Sequence, residues 1–267
     1  MQLNVLNLEK KEVKKAKLPS QFEEEVRSDL IQRAVLAIEN TRRQAYGATE
    51  NSGMRPSAKL SRRRRNYKGT YGKGISRVPR KTLNHRGSSF YWVAAVAPGT
   101  VGGRKAHPPK SERVWTQKIN TKERKKAIRS ALSATIKPSV VEARGHIIPK
   151  EYPFILSNEI EDAKKAKDVK SALEMLGFAA EMEKDSVVRI RAGKGKSRGR
   201  RYVTKRGLLI VVSKECSLIS AAKNLPLEIK MVGELNADDL APGAVPGRLT
   251  LFTENAIEAM EKRKLFM

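Results

Sequence analysis

The sequence predicts an α/β domain of three layers, in which a mostly parallel central sheet is flanked by helices and a long extended internal loop is inserted. Three observations support this fold. Short apolar runs alternate with helical segments over residues 207–262, regular patterning is lost over residues 48–113, and the positive charge is concentrated in two segments. Alternating strands and helices imply right-handed crossovers and therefore parallel strands.

The first 47 residues predict strand and then helix. "QLNVLNLEKKEVKKAKLP" alternates well enough for one or two short strands that end at Pro19. In the following segment, Ser20 and Glu23 have the spacing of a capping box, and apolar residues recur at helical spacing up to Ile38. We therefore expect a helix that begins near Ser20 and is terminated by Gly47.

Helix and strand signals resume after residue 113. "INTKERKKAIRSALSATI" predicts a helix with Asn120 and Glu123 at its N-terminus, and "DVKSALEMLG" predicts another that stops at Gly177. "DSVVRIR", "GLLIVVS", "LEIKMVGEL" and "RLTLFT" read as strands, and "SLISAAKNLP" as a short helix. Thr253 is the expected cap of the closing helix "ENAIEAMEKRK".

These elements divide the chain into a folded body and two basic segments. Residues 1–47 and 111–267 are expected to form the body, residues 48–110 an extended basic loop that penetrates RNA, and residues 186–207 a second basic loop within the body. Nine of the eighteen glycines fall between Gly47 and Gly103. A loop of this length in a compact domain is uncommon unless it is functional or becomes ordered on a partner.

The charge distribution indicates a polyanionic partner. The chain carries a formal net charge of +27, and residues 41–110 hold seventeen lysines and arginines against one acid, Glu50. Residues 186–207 hold nine more and no acid, which leaves the rest of the chain close to neutral. Clustered like charges need a counter-charge to become compact, so nucleic acid is the leading partner. An anionic membrane is disfavoured because neither segment has an amphipathic helical pattern.

Composition and motifs argue against a secreted, membrane-spanning or catalytic protein. A single cysteine, Cys216, permits no internal disulfide, and no apolar run approaches the roughly 20 residues of a membrane span. The N-terminus lacks the pattern of a signal peptide, so we expect a soluble cytosolic protein. His85, His107 and His146 have no partner at metal-ligand spacing, and "RIRAGKGKSRG" lacks the apolar helix that a dinucleotide fingerprint requires. We therefore expect no metal, no cofactor and no enzyme.

Residue types within the longer basic segment favour RNA. Arginine outnumbers lysine there, and its planar guanidinium pairs with phosphate and stacks on bases. The interleaved aromatics Tyr67, Tyr71, Phe90, Tyr91 and Trp92 offer stacking surfaces, and the less favoured alternative is that the run "SSFYWVAAVA" packs on the protein's own body. No acid occurs from Asn51 to Ser111, which suits a segment enclosed by phosphates because an unpaired buried carboxylate is costly.

Several of these stretches together resemble one family, ribosomal protein four of the large subunit in its archaeal and eukaryotic form. The most specific are "GTYGKGISRVPR" followed by "HRGS", then "GGRKAHPP" leading into the helix "INTKERKKAIRSALSAT", and "RAGKGKSRGRRY" before "GLLIVV". The resemblance spans nearly the whole chain. It implies a globular α/β body on the large subunit and a long loop that threads through ribosomal RNA (rRNA) to a constriction of the nascent-peptide exit tunnel.

The resemblance also implies roles for individual residues. Contacts with large-subunit rRNA are expected from Arg55, Lys59, Arg62, Arg63, Arg64, Arg65, Lys68, Lys73, Arg104, Lys105, Arg191, Lys194, Lys196, Arg198, Arg200 and Arg201. A position near the tunnel is expected for Arg77, Arg80, Lys81, His85 and Arg86. The expected partners are rRNA, neighbouring large-subunit proteins at the constriction and the passing nascent peptide, without a membrane, in the cytoplasmic ribosome. The alternatives are a chromatin or other duplex-DNA-binding protein and an RNA-modifying enzyme.

Overall fold

The computed structural model describes residues 1–267, which divide into two units. We call the first the body, formed by Met1–Arg42 and Thr116–Met267, and the second the insert, formed by Arg43–Trp115.

The body is organised around a six-stranded sheet in the order β2 (Glu12–Lys17), β1 (Gln2–Leu6), β5 (Ile155–Leu156), β10 (Thr250–Thr253), β8 (Leu209–Val212) and β9 (Glu228–Met231). Only β2 runs antiparallel to its neighbour β1, and the other pairs are parallel. The predicted mostly parallel sheet is thus confirmed.

Helices cover both faces of this sheet. They are α1 (Ser28–Thr41), α2 (Thr121–Ile136), α3 (Pro138–Ala143), α4 (Ala166–Met175), α5 (Ala179–Ser186), α6 (Ser217–Ala221), α7 (Ala237–Leu240) and α8 (Glu254–Lys262). Along β8, Leu209 and Val211 face a core shared with α1, α2, α7 and α8, whereas Ile210 and Val212 face a core shared with α3 to α6. Burial on both faces explains why "GLLIVV" is a continuous apolar run. None of the helices combines the length and the apolar character needed to cross a membrane.

The first helix differs from its prediction at both ends. Ser20–Phe22 form only a 3-10 turn, no side chain caps α1, and α1 begins at Ser28. The cause is tertiary: the Ser130 hydroxyl accepts a hydrogen bond from the Arg27 N–H at 2.6 Å and donates to the Glu25 carbonyl at 2.8 Å. These bonds hold the backbone outside the helix until residue 28, and the helix ends at Thr41, well before Gly47.

Most other predicted elements of the body are present. Asn120 precedes α2, but its side chain makes no capping bond, and Glu123 instead pairs with Arg33 at 2.6 Å. Gly177 follows α4 with a φ of +93°, as a left-handed helix stop requires. The Thr253 hydroxyl accepts a hydrogen bond from the Ala256 N–H at 3.3 Å and so caps α8, as predicted.

The insert contains a β-hairpin that the sequence pattern does not predict. Strands β3 (Arg80–Arg86) and β4 (Ser89–Ala94) pair antiparallel, with Arg86 opposite Ser89. The two-residue connection begins with Gly87 at a φ of +54°, a value that suits glycine in a tight hairpin turn. Residues 48–110 therefore are not wholly irregular. The aromatic and β-branched residues of "FYWVA" favour strand β4. The sequence "KTLNHR" of β3 is largely polar and therefore does not indicate a strand.

The second basic loop, residues 186–207, is also a hairpin. Strands β6 (Arg189–Ile190) and β7 (Tyr202–Val203) form their own two-stranded sheet, so "DSVVRIR" is not a strand of the central sheet. Between them lies a 3-10 turn, Lys194–Arg198, bounded by Gly193 and Gly199 at φ values of +77° and +79°. The two glycines thus serve the backbone geometry of the turn.

Candidate nucleic-acid interface

The cations of the insert and of residues 186–205 in the second basic loop have no carboxylate partners. Every ion pair within 4.0 Å in this structure joins residues of the body outside 186–205, and none involves a predicted rRNA-binding or tunnel-proximal residue. Of the predicted rRNA-binding residues, all are exposed except Lys68, which is half-buried. Their charge is neutralised only from outside the chain, the condition that favours binding of a polyanion.

A tight loop presents the four consecutive arginines Arg62–Arg65. Ser61 and Gly69 form a bridge at its base, the Gly69 N–H donates to the Asn66 carbonyl at 3.0 Å, and Arg65 has a φ of +56°. The arginine side chains are exposed and make no hydrogen bond within the chain. The loop therefore holds four guanidiniums on a short backbone curve, where they can reach successive phosphates.

The aromatic residues of β4 divide between two environments. Phe90 and Trp92 stack with ring centroids 5.2 Å apart, and Tyr67 meets Phe90 edge to face at 5.2 Å. Lys73 lies 5.6 Å from the Trp92 ring centroid, within cation–π range. Tyr91 points to the opposite face and is 70% exposed. Phe90 and Trp92 thus pack within the insert, and Tyr91 remains available for stacking.

Tyr71 is held between arginines. Arg77 lies 5.1 Å from its ring centroid and donates to its hydroxyl at 3.1 Å, and Arg64 lies 5.8 Å from the same ring. The contact links the arginine loop to the predicted tunnel-proximal residue Arg77. Tyr71 is therefore a packing partner of these cations in addition to being partly exposed.

The predicted tunnel-proximal residues lie along and before β3. Lys81 and Arg80 are half-buried, whereas Arg77, His85 and Arg86 are exposed. Arg80 donates to the Ser76 carbonyl at 3.0 Å and hydroxyl at 3.2 Å, and its Nε is buried without a partner. The structure thus gives Arg80 an internal packing role, which its position in the sequence did not indicate.

A second aromatic cluster brings together the two ends of the insert. The guanidiniums of Arg43 and Arg113 lie 3.9 and 4.2 Å from the Trp115 ring centroid, and Tyr46 stacks on the same ring at 6.0 Å. The Ala48 N–H donates to the Pro109 carbonyl at 3.0 Å nearby. This cluster could not be predicted from the sequence, because no local pattern connects residues so far apart in the chain.

The second basic loop presents its cations on a short hairpin. Arg191 donates from Nε to the Arg200 carbonyl at 3.1 Å, while the side chains of Lys194, Lys196 and Arg198 make no hydrogen bond within the chain. Arg201 lies 5.7 Å from the Tyr202 ring. Arg191 thus braces the hairpin, and the other cations face outward around the 3-10 turn.

Two neighbouring acids of the body are buried. Asp238 and Asp239 in "NADDLAPG" are 2% and 4% exposed, because Asn236 and Asp239 form a capping box at the start of α7. Asp238 accepts hydrogen bonds from Arg42 at 2.6 Å and Arg206 at 3.2 Å. Burial raises the pKa of Asp239.

Polar groups fill the carboxyl ends of the parallel strands, where an α/β enzyme would bind its substrate. The buried carboxylate of Glu161 accepts a hydrogen bond from the Thr253 hydroxyl at 2.6 Å, and Ser213 and Asn255 approach it at 3.4 Å. No group of three or more His, Cys, Asp or Glu residues is arranged to hold a metal ion. Glu161 at this position acts as a structural acceptor that ties three segments together.

A buried histidine and carboxylate form a further network. Glu181 bonds to His146 Nδ1 and accepts from Lys184 at 2.8 Å and from the Ile147 N–H at 2.9 Å. Burial alone would raise the pKa of Glu181, but the bonds from His146, Lys184 and Ile147 outweigh it and lower the pKa to about 2. The network joins α5 to the segment after α3, so His146 has a structural place that its sequence context did not reveal.

The fold and this surface define a class of protein: a three-layer α/β domain that carries strongly basic segments in which only Arg42 and Arg206 pair with a carboxylate. The sequence pattern of the Ribosomal protein L4/L1 family matches residues 16–263, and this chain belongs to that family. The resemblance found from the sequence is therefore confirmed. The family is one of ribosomal proteins and not of enzymes, in agreement with the prediction.

Archaeal proteins with the name large ribosomal subunit protein uL4 are similar to this chain over its whole length. The protein of Nanoarchaeum equitans is 46% identical over 268 residues, covering 100% of both chains. The protein of Archaeoglobus fulgidus is 44% identical, and the aligned region covers 97% of both chains. The protein of Methanopyrus kandleri is also 44% identical, and the aligned region covers 98% of this chain and 99% of the relative.

Proposed function

We propose that this protein is a structural constituent of the large ribosomal subunit in the cytoplasm, where it binds large-subunit rRNA and supports its assembly. The observation that carries the proposal is the absence of a carboxylate partner for every cation of the insert and of residues 186–205, in a chain of the ribosomal protein L4/L1 family. Bringing such cations to phosphates releases condensed counterions, which is a favourable entropic contribution to binding.

The two basic segments have different parts in this proposal. The insert enters the RNA, with Arg62–Arg65 on its exposed loop binding phosphates, and the β3–β4 hairpin reaches the nascent-peptide exit tunnel beside neighbouring ribosomal proteins. The second basic loop binds RNA separately through Lys194, Lys196, Arg198, Arg200 and Arg201. The exposed arginines and the freely exposed ring of Tyr91 support the first part, and the outward cations of the 3-10 turn support the second.

Co-sedimentation with large ribosomal subunits at low and high salt tests the proposal. In the full chain, changing Lys194, Lys196 and Arg198 together to glutamine should make the log-log salt dependence of rRNA affinity shallower by roughly 0.7–0.9 for each phosphate that the chain no longer binds. The matched control changes Lys164, Lys165 and Lys167, three exposed lysines of the body, and removes the same charge. Equal behaviour of the two triple variants would contradict an RNA-binding role for the second basic loop.

Competition with duplex DNA separates this proposal from the chromatin-protein alternative. We expect folded large-subunit rRNA to displace duplex DNA from the chain at equal phosphate concentration, because arginine forks and exposed rings suit a folded RNA with unstacked bases. A chain that binds duplex DNA as tightly as rRNA and does not co-sediment with large subunits would favour the alternative.

A further inference from the structure

A cleft in the body gathers cations from segments far apart in the sequence. It has a volume of about 460 Å³ and lies outside the residues predicted to bind RNA. Arg42 comes from the end of α1, Arg144 follows α3, and Lys205 and Arg206 end the second basic loop. The two carboxylates in its lining are Glu39 and Asp238.

The positive charge of this cleft exceeds its negative charge. Asp238 is almost fully buried and is shared by the Arg42 and Arg206 guanidiniums, whose side chains remain 53% and 44% exposed. One carboxylate thus faces two guanidiniums that both keep donors on the solvent side. Glu39 makes no ion pair within 4.0 Å, and Lys205 is exposed and makes no hydrogen bond within the chain.

Arg144 is held in place without being neutralised. Its guanidinium donates to the carbonyls of Val245 and Pro242, the latter at 2.7 Å, and neither carbonyl carries a formal charge. Burial, together with the positive charge of Arg248, lowers the pKa of Arg144 to about 10. It still carries its proton at neutral pH, so its charge adds to that of the cleft. Arg248 itself does not line the cleft and is paired with Glu228 at 2.8 Å.

We propose that this cleft is a phosphate-binding site formed by Arg42, Arg144, Lys205 and Arg206. Asp238 positions two of the guanidiniums, the backbone carbonyls position the third, and all four cations line one cleft of about 460 Å³, which is large enough for a tetrahedral anion. Arginine presents paired donors that match phosphate oxygens, and a fixed guanidinium loses little freedom on binding. An acid-lined cation site is not indicated, since four cations face two carboxylates.

The source of the phosphate follows from where the cleft lies in the chain. Arg42 is the last residue of the body before the insert, and Arg206 lies at the end of the second basic loop. RNA that is bound by the second basic loop therefore passes close to the cleft. On the proposed function, which this inference extends, the ligand is a backbone phosphate of rRNA held by the body itself; a free phosphate is the other source of the same chemistry.

Single substitutions in the full-length chain test the site. Lys205→Gln should make the log-log salt dependence of affinity for a large-subunit rRNA fragment shallower by roughly 0.7–0.9. Arg206→Gln should do the same, with Arg42 still holding Asp238. The control is Lys167→Gln on α4, which removes an equally exposed charge and should leave the slope unchanged. Lys205 makes no hydrogen bond or ion pair within the chain, so its substitution should not affect folding. The Lys205→Gln variant therefore still tests binding even if Arg206→Gln unfolds.

Ethylation of RNA phosphates and titration with inorganic phosphate identify the ligand. If the ligand is an rRNA phosphate, ethylation of one particular phosphate weakens rRNA binding by the wild type but not by Lys205→Gln. Inorganic phosphate then does not raise the melting temperature of the protein. For a free phosphate, inorganic phosphate raises the melting temperature of the wild type more than that of Lys205→Gln. If neither difference appears, and the salt dependence of rRNA affinity is the same for Lys205→Gln and Lys167→Gln, the site is refuted. If the wild type binds no rRNA, the proposed function is refuted, and the phosphate titration alone decides the site.

Discussion

The carboxylate of Asp185 occupies the place where a side chain on Gly207 would begin. A Cβ built on Gly207 would overlap Asp185 Oδ2, far closer than two atoms can approach. Asp185 lies in α5 and Gly207 lies two residues before the start of β8, so this contact brings together the two ends of the second basic loop. The hairpin of residues 186–207 thus starts and ends at one tightly packed point.

Gly207→Ala should therefore destabilise the body. The added methyl group forces either the carboxylate or the backbone to move, and overpacking of this kind costs about 1–3 kcal/mol. Urea unfolding at neutral pH measures the loss. Gly233→Ala is the matched control, because a Cβ there meets no atom within 4 Å. The packing argument fails if the two variants are equally stable.

The lowered pKa of Glu181 predicts that the folded protein loses stability in acid. Its pKa is about 2 in the folded protein against an ordinary value of 4.5, so its ionised form stabilises the fold above about pH 4.5. That contribution disappears as the pH falls from 4.5 towards 2. Asp185, whose pKa burial raises, acts in the opposite direction and weakens the fold when it ionises.

Glu181→Gln should lower stability at pH 7 by roughly 1–3 kcal/mol, because buried donors lose a charged acceptor. It should also flatten the pH dependence of the urea midpoint between pH 4.5 and 2. Glu183→Gln, on the same helix but exposed, should leave that dependence as in the wild type. An unchanged acid profile for Glu181→Gln would show that other carboxylates cause the transition.

The two faces of β4 should respond differently to alanine. Phe90→Ala removes the stack with Trp92 and the edge contact with Tyr67, so we expect the hairpin to become more susceptible to protease in the free protein. Tyr91→Ala should leave protease resistance intact and weaken rRNA binding by about 1–3 kcal/mol, the contribution of one stacked base. Limited proteolysis and filter binding measure the two effects. Equal RNA affinity of Tyr91→Ala and the wild type would exclude stacking by this ring.

Arg248 is a buried cation on which the body depends. It is 0% exposed, donates from Nε to the Gly207 carbonyl and from Nη1 to the Asp239 carbonyl, each at 2.8 Å, and pairs with Glu228. Arg248→Met leaves these buried carbonyls without donors, and we expect a loss of about 1–3 kcal/mol for each unsatisfied group. Arg263→Met, at an exposed position after α8, should be close to neutral. Denaturant unfolding that fails to separate the two would contradict this role.

The sequence by itself determined the class of fold and the kind of surface. The spacing of apolar residues and the length of apolar runs are local properties of a sequence. Strands β8 and β10, helix α2 and the Thr253 cap of α8 could therefore be predicted from neighbouring residues. Net charge is a sum over residues and does not depend on folding. The concentration of cations in residues 41–110 and 186–207 is therefore a property of the chain itself, and so is the resemblance to the family.

Only the tertiary structure decided which charges are paired and which side chains are free. Helix α1 begins at Ser28 because Ser130, a hundred residues later, bonds the backbone before it. Asp238 is buried because α7 places it between Arg42 and Arg206, and alternation along β4 leaves Tyr91 exposed while Phe90 packs. Such relationships depend on contacts between distant segments, and those contacts exist only after the chain has folded.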